Sequence, residues 1–150
     1  MSEFQVVICR LGDESYGLDI ASVYEIIRFQ ESTAVPTAPI FVDGVINLRG
    51  RIIPVMDLSS RFGMSRSATT KSTRIIVAGE SGLRVGLVVD AVTEVLMVAE
   101  EAVEATPQVA SGYDSAYIRG IAKLGEELVI LLDLRALFAD QIDTTRAIAA

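Results

Sequence analysis

Few side chains in this sequence could do chemistry, and none shows a catalytic spacing. There is no histidine, which removes imidazole acid–base catalysis, serine–histidine nucleophiles and histidine-bound metals. The one cysteine, Cys9, sits inside the apolar run Val6-Val7-Ile8-Cys9. It reads as a buried small hydrophobe, with no second thiol for a disulfide or a metal cluster. Asp57 and Asp133 each precede a helix-like apolar run, a pattern that suits an N-cap better than an acid–base pair. Glu25 and Glu94 stand beside apolar residues and read as solvated positions. Glu100-Glu101 and Glu126-Glu127 are adjacent pairs that do not face each other across a substrate. No P-loop, dinucleotide-binding or nucleophile-elbow pattern occurs. What remains is Asn47-Leu48-Arg49-Gly50. The arginine fork suits carboxylates or backbone carbonyls, and Gly50 allows the chain to reverse. Recognition and an ordinary exposed hairpin turn are equally open readings of these residues.

The elements that must position them are short β-type runs between turns. Gln5–Leu11 and Ser15–Ile20 flank Gly12-Asp13-Glu14, a hairpin pattern. Val23, Ile26 and Ile27 suit one or two helical turns over Ala21–Ile27. Gln30–Ile40, with Pro36 and Pro39, reads as loop. Val45–Leu48 and Ile52–Met56 are strands around Arg49-Gly50-Arg51, and Pro54 predicts an unpaired side in the second of them. Asp57 precedes a short helix over Leu58–Phe62, and Ser65–Ser72 is polar and structureless. Arg74–Ala78 and Leu83–Val89 follow as strands, and Glu100–Tyr117 reads as a long irregular stretch. Tyr117–Leu124 and Leu128–Leu132 are strands. A C-terminal helix begins near Leu134 with Leu137, Phe138 and Ile142 on its apolar face.

The two halves resemble each other. A shift of 69 residues lays Val6-Val7-Ile8 on Ile75-Ile76-Val77, Gly17 on Gly86, and Val23 and Glu25 on Val92 and Glu94. A shift of 76 lays Gly44 on Gly120, Leu48 on Leu124, Asp57-Leu58 on Asp133-Leu134 and Phe62 on Phe138. The pattern predicts a duplicated β unit with a short helix, hence an all-β fold of two small five-stranded barrels with internal pseudo-symmetry, plus a C-terminal helix. The expected organisation is a single domain over 1–150, with halves near 4–72 and 73–140 and a tail at 141–150. Asn47, Arg49 and Gly50 have no counterpart in the second half, which sets them apart from shared core positions.

Composition narrows the function. The 150 residues are 51% apolar, and 13 basic against 20 acidic residues give a net charge of -7. That balance offers no field for nucleic acid phosphates or an acidic membrane surface. No run of 18 apolar residues occurs and the N-terminus lacks a signal-peptide pattern, so a soluble, cytoplasmic protein without direct membrane insertion is expected. No cofactor or metal is expected.

Four blocks resemble the CheW-like coupling proteins of bacterial chemosensory systems. They are Tyr16-Gly17-Leu18-Asp19-Ile20 with Val23 and Glu25-Ile26; Gly44 to Gly50 running on to Ile53-Pro54-Val55-Met56-Asp57-Leu58; Gly86 to Asp90 with Val92; and Ile130-Leu131-Leu132-Asp133-Leu134. The resemblance spans about Phe4 to Phe138. It implies two five-stranded barrels and no catalytic activity. It also implies an adaptor joining the regulatory domain of a CheA-type histidine kinase to the cytoplasmic tips of methyl-accepting chemoreceptors. Recruitment to membrane-associated arrays, where other CheW-like copies can join, is part of the same implication. It carries Asn47, Arg49 and Gly50 over as receptor-facing or array-critical residues, with Gly44, Val23, Glu25 and Val88 as weaker members of that set. A stand-alone coupling protein is implied, since kinase or receiver domains have no room here. Two other readings stand beside it. One is an acidic small-molecule-binding β domain without enzyme activity. The other is a hydrolase built only from carboxylates, which as a glycosidase needs two of them roughly 5–9.5 Å apart across a cleft.

Overall fold

In the computed structural model, described for residues 2–36, 42–65, 68–80, 82–104 and 117–139, the apolar runs become strands, several buried on both faces. In chain order these are β1 (Glu3–Leu11), β2 (Glu14–Asp19), a 3-10 turn at Ile20–Ser22, β3 (Val23–Arg28), β4 (Val42–Leu48), β5 (Arg51–Asp57) and α1 (Leu58–Arg61). Then come β6 (Arg74–Glu80), β7 (Leu83–Val89), β8 (Ala91–Ala99), a 3-10 turn at Glu100–Ala102, β9 (Val103–Glu104), β10 (Ile118–Leu124), β11 (Glu127–Leu132) and α2 (Leu134–Ala139). The expected all-β class with short helices is the one adopted.

The strands form a six-stranded sheet, β8-β1-β2-β11-β10-β9, and a five-stranded sheet, β3-β6-β7-β5-β4. β9 continues β8 beyond a 3-10 turn and pairs with β10, so the six-stranded sheet curls until its two ends meet. In the second sheet Thr33, a few residues past β3, closes the same gap. Its N–H donates to the Val45 carbonyl at 2.8 Å, and the Val45 N–H donates back at 2.9 Å. With β8 and β9 counted as one bent strand, each sheet is a five-stranded barrel.

Each barrel draws on both halves of the sequence. The β1–β2 hairpin lies with β8 to β11, while β3 to β5 lie with β6 and β7. Exchanging each strand for its duplicate (β1 with β6, β2 with β7, β3 with β8, β4 with β10, β5 with β11) turns one strand order into the other. The parallel contacts obey the same two offsets: Leu131 lies opposite Gly17, and Val55 opposite Gly86.

Alternation along the strands feeds separate cores. On β1, Val6 and Ile8 fill the interior of one barrel, while Val7, Cys9 and Leu11 enter the core between the barrels. On β6, Ile75 and Val77 fill the second barrel, while Ile76 and Ala78 join the shared core with Leu58 and Leu137. This double burial is why these strands read as unbroken apolar runs. Each large aliphatic side chain buried this way contributes about 1.5–3 kcal/mol.

Cys9 is fully buried in the shared core, and burial pushes its thiol up to about 12, with the Asp90 charge adding to the rise. The folded state therefore holds a proton that the unfolded chain releases near 9.0, so stability falls as pH rises through that window. Native protein is expected to resist iodoacetamide at mildly alkaline pH and to react once denatured. Rapid reaction of the native form would contradict this burial.

Three local expectations change. Ala21–Ile27 is not helical: only Ile20–Ser22 forms a 3-10 turn, capped by Asp19 Oδ1 accepting from the Ala21 N–H at 2.9 Å. The rest is strand β3, because the β6 ladder takes up its backbone and turns Ile26 outward. The stretch after Ala99 opens with a 3-10 turn and β9, for the closure above needs them; residues 105–116 lie outside the described residues. The β4–β5 turn is two residues, not three, since Leu48 pairs with Arg51. Pro54 sits just before the β7 ladder begins at Val55, which leaves its missing donor unneeded there. Pro39, Ile142 and the side chain of Phe138 lie outside the described residues.

Candidate functional site

The β4–β5 turn is built from Arg49 and Gly50, with φ of 54° and 84°. Positive φ at both central residues is the type I′ arrangement that matches the twist of a hairpin. Among the described residues Arg49 alone adopts positive φ without being glycine. The equivalent turn of the other barrel has Gly125 at that place, between the paired Leu124 and Glu127, with φ of 64°. The fold thus favours glycine here, and an L-residue in the left-handed region costs about 1–2 kcal/mol. Strain of this kind is retained where a side chain has a task. Asn47 steadies the turn, its Oδ1 accepting the Gly50 N–H at 2.9 Å.

Arg49 reaches across the barrel to Glu25 on β3, Nη1 donating to Oε2 at 2.5 Å. β3 and β4 are opposite edges of the five-stranded sheet, so the pair exists because the sheet is curled. The Arg49 hydrogen bond lowers the Glu25 pKa and the charges of Arg49 and Arg84 act the same way, against a smaller opposing effect of burial. The same bond raises Arg49. Glu25 therefore keeps its charge below the usual glutamate range, and the pair dissolves only at more acidic pH. The Arg49 side chain is 72% exposed, and its other donors have no partner among the described residues. Beside Glu25, the register slips between Val23 and Glu25, which leaves Tyr24 unpaired and exposed. The Arg84 guanidinium lies 4.1 Å from the centre of the Tyr24 ring.

Asn47, Arg49, Gly50 and Glu25 are thus brought together; the others are not. Gly44 lies further back on β4 at a register slip, with φ of 151°; a Cβ there would stand 2.1 Å from the Thr33 carbonyl oxygen. Val23 begins β3 and packs against the shared core. Val88 lies on β7 opposite Asp57 and packs against the second barrel's interior. Sequence reasoning missed the Glu25–Arg49 pair, because 24 residues separate the partners. The one available signal was a carboxylate kept within an apolar strand. Nothing in the sequence pointed to Tyr24 or Arg84.

Asp57 and Asp133 do cap helices: Asp57 Oδ1 accepts the Ser60 N–H at 3.2 Å, and Asp133 Oδ1 the Ala136 N–H at 3.1 Å. Asp133→Ala is expected to lower unfolding free energy by about 0.5–2 kcal/mol in chemical denaturation. An unchanged midpoint would deny the cap any weight.

A strained arginine on a hairpin of one of two strand-exchanged barrels is a specific arrangement. Residues 5–141 match the model of the CheW-like domain. The chain belongs to the CheW-like family. The chemotaxis protein CheW of Treponema pallidum is 35% identical over 144 residues, spanning 93% of this chain and 84% of its own length. The probable chemotaxis protein CheW of Rhizobium etli is 38% identical, spanning 91% and 88%. The crystal structure of the scaffolding protein TtCheW from Thermoanaerobacter tengcongensis superposes with a TM-score of 0.84 at 40% identity, covering 92% of this chain and 89% of that one. The chain is a CheW-family chemotaxis scaffold, and the CheW-like fold is the two-barrel arrangement above. Among the described residues no helix is long and apolar enough to cross a membrane, and no cluster of three metal-ligating side chains occurs.

Proposed function

We propose that this chain is a non-catalytic adaptor that couples the cytoplasmic tips of chemoreceptors to the regulatory domain of a CheA-type histidine kinase. The observation that supports it is the Arg49 turn: an exposed guanidinium held in a strained backbone, braced by Glu25, on a CheW-like scaffold. A receptor tip is a helical hairpin, and an arginine at a β-turn can reach its carboxylates or helix-end carbonyls. Arg49, aimed by Glu25 and Asn47, offers its remaining donors to such groups. Gly50 makes the turn, while Gly44, Val23 and Val88 act by holding the barrel that presents it. In this reading the chain works in the cytoplasm at membrane-associated arrays, alongside other CheW-like copies.

The test is a pull-down from native extract with the wild-type chain beside Arg49→Ala, read by mass spectrometry. A CheA-type kinase and a receptor are expected with the wild type, and loss of the receptor with the variant. Recovery of neither partner by the wild type would overturn the coupling role.

A further inference from the structure

A separate groove on the second barrel gathers positive charge that the fold does not require. Arg28 at the end of β3 and Arg74 at the start of β6 are direct cross-strand partners. Like charges in that relation repel and destabilise a ladder. Lys71 lines the same groove, of about 450 Å³, together with Phe29, Thr70 and Thr73. Among the described residues no carboxylate lines it; Asp43, Asp57 and Asp90 line a different crevice beside Phe29, Thr69 and Thr73. Arg28 and Lys71 have no ion-pair partner among the described residues. Arg74 is pre-set, its Nη1 donating to the Lys71 carbonyl at 2.8 Å and the Thr73 carbonyl at 2.9 Å. Thr73 Oγ accepts the Thr70 N–H and Thr70 Oγ the Ser72 N–H, so both hydroxyls keep a proton to donate.

The duplication supplies an internal control. The pair equivalent to Arg28 and Arg74 in the other barrel is Met97 and Gln5, in the same register and uncharged. The ladder therefore forms without cations, and three of the 13 basic residues of a chain with net charge -7 converge where they repel one another. Guanidinium forks, an ammonium and hydroxyl donors around one concave space match phosphoryl oxygens, and the volume is that of a small-molecule site.

We propose that this groove binds the diphosphate group of a small molecule, free or carried by a nucleotide. The site is distinct from the Arg49 turn and does not depend on the coupling role.

Calorimetric titration of the full chain at low ionic strength, with inorganic pyrophosphate and with ADP, tests it. Binding of pyrophosphate at one site is expected, weakened about tenfold by Arg28→Gln or Lys71→Gln through loss of one charge-assisted contact. Equal affinity for ADP supports recognition of the diphosphate alone, and tighter ADP binding supports a nucleotide resting on Phe29. Without ligand, Arg28→Gln is expected to raise Tm by about 1–3 °C at low salt and to have no effect at high salt. That shift also shows that the variant is folded. Absence of pyrophosphate and ADP binding to the wild type, or undiminished binding by both variants, overturns the proposal. So does binding of a poly-glutamate peptide in place of either phosphate compound, which makes the groove a polypeptide dock.

Discussion

Arg49→Gly is expected to abolish receptor coupling while leaving the fold as stable as before, or more stable by up to about 1 kcal/mol. The substitution removes the guanidinium and also removes the penalty of a left-handed L-residue, partly offset by the extra freedom glycine gives the unfolded chain. The other barrel already runs this experiment, with Gly125 at the corresponding place. On the binding side, a hydrogen bond to a charged partner is worth about 1.5–3 kcal/mol, so receptor affinity should fall at least about tenfold. Stability and activity thus move apart. Denaturant unfolding beside a receptor-binding assay separates them. A marked loss of stability would make Arg49 a structural residue, and intact binding would remove it from the interface. Glu25→Gln is the milder counterpart: it leaves the fork but takes away the charge that aims it.

Gly44→Ala is expected to act in the opposite way, through the fold. Its added Cβ would stand 2.1 Å from the Thr33 oxygen and 2.6 Å from the Thr33 carbonyl carbon, both backbone atoms that flexible side-chain motion cannot relieve. The backbone there has φ of 151°, a conformation L-residues avoid. The clash falls on the two Thr33–Val45 hydrogen bonds that close the barrel. Relief requires opening that closure, and a cost of about 2–4 kcal/mol follows. Since closure also brings β3 toward the β4–β5 turn, coupling should weaken as a consequence of the lost structure. Chemical denaturation reads the first effect directly. A Gly44→Ala protein with wild-type stability and defective coupling would instead place Gly44 in the interface itself.

Much of this architecture was legible in the residues. Apolar runs at Val6–Cys9 and Ile75–Ala78, glycine-marked turns and the Asp-Leu steps gave strands, duplication and helix caps. Each is a local rule that the tertiary structure leaves in force. The exchange of strands between halves was not legible, because a duplicated unit shows that two copies exist but not which copy pairs with which. The β3 segment misled because Val23, Ile26 and Ile27 meet a helical spacing by chance, while apolar Tyr24 and Ile26 lie on the exposed face and Glu25 on the other, which hides the regular alternation of burial in the residue types. At the site, Arg49 and Gly50 stood out by lacking counterparts, by their chemistry at a turn and by the family resemblance. Their brace, Glu25, depends on the curl of a whole sheet, and the Arg28–Arg74 repulsion depends on ladder register. Neither quantity is encoded within a window of neighbouring residues.

The most direct measurement mixes purified chain, a CheA-type kinase and receptors in membranes, and reads kinase autophosphorylation with and without receptor ligand. Receptor-dependent kinase activity is predicted only when the wild-type chain is present, and not with Arg49→Gly at equal concentration and verified folding. Receptor control of the kinase that is unchanged when the chain is omitted, or fully restored by Arg49→Gly, would contradict the coupling role assigned to this molecule.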